Sequence, residues 1–242
     1  MSLEKKVVIL KDAPALAHAA AEMIMQGAAT AIATRGRFTL ALSGGSTPEA
    51  AYEIIKRDFS AQGNWAKWFI FMGDERAVPA DDPVSNLGMA RRTMLHGLPI
   101  ASEQIFTVHT QLPPPAAAAD YEKRIQAFFG SAAPRFDLIL LGLGDDGHTA
   151  SLFPGHSARH ETHKLVTWSP PGTLPPPVDR ITFTFPLINQ ARKVVFLMAG
   201  EKKKKVVRQL LSKNVNPELI PAANVHPLDG ELIYMMDQAA HG

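Results

Sequence analysis

Apolar residues along this chain fall into short solid runs separated by longer stretches in which they are spaced three or four apart. Residues 7–10, 38–42, 67–72, 138–141, 180–185, 194–198 and 232–236 have the length and the β-branched or aromatic content of buried strands. Between them the spacing predicts helices: a long Ala- and Met-rich one over 14–34 closed by Gly36, and one begun near Pro48 and running through Tyr52 and Ile55. Further helices are predicted from Ser85-Asn86 through Leu95, over 116–129, and after the lysines at 202–205 through Leu211. Pro113-Pro114-Pro115 reads as a stiff connector, and Pro170-Pro171 with Pro175-Pro176-Pro177 frames a rigid loop. Strands alternating with helices imply an α/β fold, a parallel sheet wound on both faces. No composition shift marks a boundary and no solenoid repeat is present, so residues 1–242 read as a single domain.

In such folds the loops that leave the carboxyl ends of the strands carry the chemistry. Four of them here are unusual. The strand at 38–42 runs into Ser43-Gly44-Gly45-Ser46-Thr47-Pro48, where backbone N–H groups and hydroxyls form a cup at a helix start. That cup suits a phosphate monoester, and it lacks the lysine of a nucleotide P-loop. The strand at 67–72 ends in Gly73-Asp74-Glu75-Arg76. Arg76 is suited to a phosphate or a polarised carbonyl, and Asp74 or Glu75 to orienting it or a sugar hydroxyl. Asn86 is either a sugar donor or a helix cap. The strand at 138–141 opens into Gly142-Leu143-Gly144-Asp145-Asp146-Gly147-His148, a neutral imidazole beside two carboxylates, suited to taking a proton from water near pH 7. The strand at 194–198 ends in Gly200-Glu201-Lys202-Lys203-Lys204-Lys205; lysines at a helix start are unfavourable to its dipole unless an anion sits nearby.

Two alternative readings weaken on inspection. Gly142-x-Gly144-x-x-Gly147 matches a dinucleotide fingerprint, but Asp145 and Asp146 would repel a pyrophosphate, and Pro154-Gly155 follows too soon for the long helix required. His156, His160 and His163 would share one helix face like metal ligands, but Lys164 and the turn residues around them predict a solvated loop.

Composition narrows the class. Lys+Arg 25 against Asp+Glu 23 gives a net charge of +2, which marks no nucleic-acid binder. Absence of cysteine excludes disulfides, thiol nucleophiles and thiolate metal sites. Met1-Ser2-Leu3-Glu4-Lys5-Lys6 lacks the apolar core of a signal peptide, and no run approaches the roughly 20 residues needed to cross a bilayer. A cytoplasmic enzyme or binding protein for a small phosphorylated metabolite is expected, without nucleic-acid or membrane partners.

The 43–48, 73–76 and 82–86 segments and Gly142 to Pro154 occur in the order and spacing of 6-phosphogluconolactonases. Arg180-Ile181-Thr182, Gly200-Glu201-Lys202-Lys203 and Asp237-Gln238-Ala239-Ala240 extend the resemblance over nearly the whole chain. The resemblance implies a Rossmann-like three-layer sandwich of the sugar-phosphate isomerase-like type. It also implies hydrolysis of 6-phospho-D-glucono-1,5-lactone to 6-phosphogluconate in the pentose phosphate pathway, with no metal or organic cofactor, by a monomer or small homo-oligomer. Carried onto this sequence, Ser43, Gly44, Gly45, Ser46, Thr47, Arg180 and Lys203 are expected to hold the phosphate; Lys202 and Lys204 compete with Lys203 for that place. His148 is the expected base, Asp146 rather than Asp145 its orienting carboxylate, and Arg76 the oxyanion partner. Asp74, Asn86 and Gly144 complete the expected substrate contacts. The related glucosamine-6-phosphate deaminases continue their Asp-Gly-His loop with Asn-Glu-Pro; Leu152-Phe153-Pro154 stands here instead, without the glutamate. Ser151 lacks the Gly-x-Ser-x-Gly context of a nucleophile.

Overall fold

The computed structural model describes residues 5–173 and 175–242; Met1–Glu4, part of the stretch read for a leader, and Leu174 in the proline loop lie outside them. In chain order the elements are β1 (Lys5–Leu10), α1 (Ala13–Arg35), β2 (Phe38–Leu42), α2 (Ser46–Asp58), β3 (Trp68–Met72), β4 (Asp74–Arg76), α3 (Asn86–Thr93), β5 (Ile105–Phe106) and α4 (Pro114–Phe129). They continue with β6 (Leu138–Leu141), β7 (Val166–Ser169), β8 (Arg180–Phe183), α5 (Phe185–Ile188), β9 (Lys193–Met198), α6 (Lys204–Leu210), β10 (Glu231–Asp237) and α7 (Gln238–His241).

Seven strands form one sheet in the order β1-β10-β9-β6-β2-β3-β5, every pairing parallel. Successive side chains of a strand point to opposite faces, and here both faces are apolar. Leu138, Leu140, Val195 and Leu197 pack with Ile24 of α1, Ile55 of α2 and Ala90 of α3. Their neighbours Ile139, Leu141, Val194 and Phe196 pack on the other face with Tyr121 and Ile125 of α4 and Val207 of α6. The result is the Rossmann-like three-layer α/β sandwich, in which solid apolar runs are required because helices cover both sides.

Three departures from the sequence reading have local causes. The strand expected over 180–185 stops at Phe183, because Phe185 and a following proline start α5, and it belongs to a separate antiparallel sheet, β4-β8-β7. Gly73 makes the break: its N–H bonds Leu42 O in the main sheet while its own carbonyl accepts from Phe183 N, so the chain leaves one sheet and enters the other. Residues 74–76, read as a loop, are therefore a strand. Pro114 and Pro115 are no connector but the first residues of α4, where a missing N–H costs nothing.

The carboxyl ends of β9, β6, β2 and β3 lie side by side and present the loops after Met198, Leu141, Leu42 and Met72 on one edge. The loop after Leu42 is tied down by Tyr52, whose buried hydroxyl accepts from Ser43 N (3.1 Å) and donates to Ser43 O (3.0 Å). Tyr52→Phe strands both backbone groups and should lower unfolding free energy by about 1–3 kcal/mol, read from urea denaturation.

Candidate active site

A cavity of about 290 Å³ opens over that edge. One wall is the Ser43–Pro48 segment, a second is Gly142–Asp145 with His148, and Asp74, Arg76, Asn86 and Lys203 close it. Gly45 caps α2 with φ +104 and no side-chain hydrogen bond, so the first-turn N–H groups of Ser46 and Thr47 face outward. Pro48 has no N–H to offer. The cup expected from the sequence is thus a helix N-terminus with free donors and a positive dipole end.

The two adjacent carboxylates divide their work. Asp146 Oδ1 stands 2.6 Å from His148 Nδ1 and also accepts from His148 N at 3.1 Å. Asp145 Oδ1 instead meets Lys203 Nζ at 2.6 Å. Burial raises the Asp146 carboxyl, but the hydrogen bonds and charge of His148 outweigh it and leave it below the ordinary carboxylate value. An ionised Asp146 makes Nδ1 the protonated nitrogen, which leaves Nε2 with a free lone pair. Gly144 is obligatory here: a Cβ on it would run into His148 Nδ1 and Asp146 Oδ1. Phe153, in the place of the deaminase glutamate, packs its ring 4.6 Å from the imidazole. Ser151 is buried and donates to Asp74 Oδ2 at 2.7 Å, a supporting role rather than a nucleophile's.

Below the cavity lies a polar network that sequence reasoning resolved only in part. Asn86 donates to Asp74 O (3.0 Å) and Oδ1 (3.3 Å), while Ser85, not Asn86, caps α3. Glu75 is buried and accepts from the backbone N–H groups of Arg76, Asn86 and Leu87. Burial pushes its carboxyl up against those three bonds, and its part is to pin the start of α3 to β4. Arg76 lines the cavity, donates through Nη1 to Val84 O at 2.5 Å, and keeps a buried Nε without a hydrogen-bond partner among the described residues. Arg180 lies opposite Arg76 in the β4–β8 pairing. At 3 % exposure it does not line the cavity; burial and then the charge of Arg76 pull its pKa down. Of the lysines, Lys203 reaches the cavity, whereas Lys202 lines only a neighbouring depression. His156, His160 and His163 do not converge, and no cluster suited to a metal occurs among the described residues.

A family profile described as glucosamine-6-phosphate isomerases/6-phosphogluconolactonase matches residues 11–234. The chain belongs to that family. The 6-phosphogluconolactonase of Nostoc sp. is 41% identical over 242 residues, covering 98% of each chain. That of Homo sapiens is 39% identical over 239 residues, 97% of this chain and 92% of the relative. Among solved structures, the 6-phosphogluconolactonase from Trypanosoma cruzi superposes with a TM-score of 0.89 at 30% identity, covering 99% of this chain and 97% of that one. No helix among the described residues is long and apolar enough to cross a membrane.

The Asp146–His148 pair has a pH signature. A carboxyl held below its unfolded value contributes stability that is present above that value and is lost as pH falls through the lowered one. Below about pH 4 the wild type should therefore lose stability more steeply than Asp146→Asn, measured as the urea midpoint against pH.

Proposed function

We propose that this chain hydrolyses 6-phospho-D-glucono-1,5-lactone to 6-phospho-D-gluconate, the lactonase step of the oxidative pentose phosphate pathway. The observation that carries the reading is His148, held 2.6 Å from Asp146 and lining the same cavity as the α2 phosphate cup. The phosphate sits against the N–H groups and hydroxyls of Ser43, Gly44, Gly45, Ser46 and Thr47, with Lys203 as counter-charge. Arg180, buried behind Arg76, adds positive potential without touching the ligand. Anchored at this end, the lactone presents C1 toward His148, so phosphate binding is converted into orientation.

The chemistry then needs one base. His148 Nε2 takes a proton from water as the water oxygen bonds to C1, and the carbonyl electrons move to oxygen. Arg76 stabilises that oxyanion. Collapse restores the carbonyl and breaks the bond from C1 to the ring oxygen, which leaves with the proton from His148 as the C5 hydroxyl. Asp74, Asn86 and Gly144 contact the sugar. A substrate of this charge does not cross bilayers unaided, which favours a cytoplasmic setting. The protein is a monomer or small homo-oligomer on this reading. Phe153 beside the imidazole supports lactonase over deaminase chemistry, since a phenyl ring cannot share the histidine's proton transfers.

Proton release at pH 7 from freshly generated lactone, corrected for spontaneous hydrolysis, tests the reading. His148→Ala should lower kcat by about 10²–10⁴-fold with KM nearly kept; a wild-type kcat would overturn the base assignment. Lys203→Ala should act mainly on KM, and ammonia release from glucosamine 6-phosphate in place of lactone hydrolysis would overturn the reaction itself.

A further inference from the structure

The opposite edge of the main sheet holds a second concentration of charge. Strands β9, β6 and β2 are neighbours and parallel, so the residues just before them surface together. Those residues are Arg192, Asp137 and Arg37, joined by Arg135 and by Arg35 at the end of α1. A cavity of about 430 Å³ opens among them, with Phe129 and two alanines forming an apolar wall.

Charge in this cavity is poorly balanced. Asp137 is already engaged: Oδ1 accepts from Arg35 Nε at 2.8 Å, and Oδ2 from the N–H and hydroxyl of Thr39, each at 2.9 Å. Arg192 Nε comes only within 3.5 Å of that carboxylate, and Arg135 pairs with the exposed Asp229 at 2.5 Å. Nε of both Arg135 and Arg192 is buried with no hydrogen-bond partner among the described residues. Arg37 lies 4.5 Å over the Phe128 ring and makes no hydrogen bond among the described residues. Burial, then the charges of Arg135 and Arg35, depress the Arg192 guanidinium. Four guanidinium groups thus face two carboxylates, with donors left over in a recess of small-molecule size.

We propose that this recess binds a small multivalent oxyanion of the phosphate-ester or pyrophosphate class, at a site separate from the catalytic cavity. Guanidinium forks match phosphoryl oxygens two at a time, and an anion there relieves the mutual repulsion of the arginines. The Phe129 wall and the Phe128 ring under Arg37 suit an organic group carried by the ester. A recess of this volume admits a small ester and excludes a duplex backbone.

Inorganic pyrophosphate is the probe, followed by calorimetry on the full chain. Lys203→Ala, which weakens the catalytic cavity's own anion binding, should retain a pyrophosphate site. Arg37→Gln/Arg192→Gln should weaken that site at least about tenfold, as expected when charge-assisted hydrogen bonds are lost, while lactone turnover without pyrophosphate stays at the wild-type level. Arg37→Gln alone, at a side chain with no hydrogen bond among the described residues, should weaken it several-fold and guards against a folding defect in the double variant. Pyrophosphate binding abolished by Lys203→Ala, or untouched by the Arg37 and Arg192 substitutions, would overturn the proposal.

Discussion

The parallel register of β9, β6, β2 and β3 is the constraint on which the rest depends. Because these strands are parallel neighbours, four loops far apart in the chain meet at one edge, and arginines from three distant stretches, Arg35 with Arg37, Arg135 and Arg192, meet at the other. The register is held by two apolar layers, so cohesion of the core and placement of chemistry have one cause. Leu143 and Leu197 line the catalytic cavity and belong to those layers, while the polar loop side chains beside them carry charges and open donors that a core would reject.

Within the catalytic edge, precision comes from backbone anchoring. Tyr52 holds Ser43, Glu75 holds the start of α3, and Ser151 holds Asp74. Each uses a buried side chain to fix a main-chain segment or a carboxylate one step removed from the cavity. The imidazole receives the same treatment from three sides: Asp146 on Nδ1, Phe153 against the ring, and the bare Cα of Gly144 beneath. An imidazole held this way would lose little orientation on binding a substrate, as the proposed general-base role requires.

Much of this was legible in the sequence, and what was not has physical reasons. Strands covered on both faces announce themselves as solid apolar runs, so β2, β3, β6, β9 and β10 stood out. The short antiparallel sheet did not: Asp74–Arg76 is a strand of charged residues whose pairing is dictated by the break at Gly73, and Val166–Ser169 hides among turn residues and prolines. Asp145 and Asp146 are indistinguishable by composition, and only backbone direction sends one to His148 and the other to Lys203. Arg180 is expected at the phosphate only by family resemblance; its register opposite Arg76 and its burial follow from the short antiparallel sheet, which leaves no mark in the sequence. The arginine recess left no local mark, because Arg35, Arg37, Arg135 and Arg192 are scattered residues that only parallel pairing gathers.

The Asp145–Lys203 ion pair has one more consequence. Both partners are partly exposed, and the pair stands at the rim of the cavity, so the lysine meets a carboxylate before any ligand. An arriving anion must outcompete a carboxylate already in place. A chloride ion, with one charge and no hydrogen-bond geometry, is a poor competitor, whereas a phosphate dianion can engage the lysine and the α2 N–H groups at once. On the proposed function, the acidic residue beside the cationic one would act as a discriminator, favouring a divalent phosphate over monovalent anions at the cup.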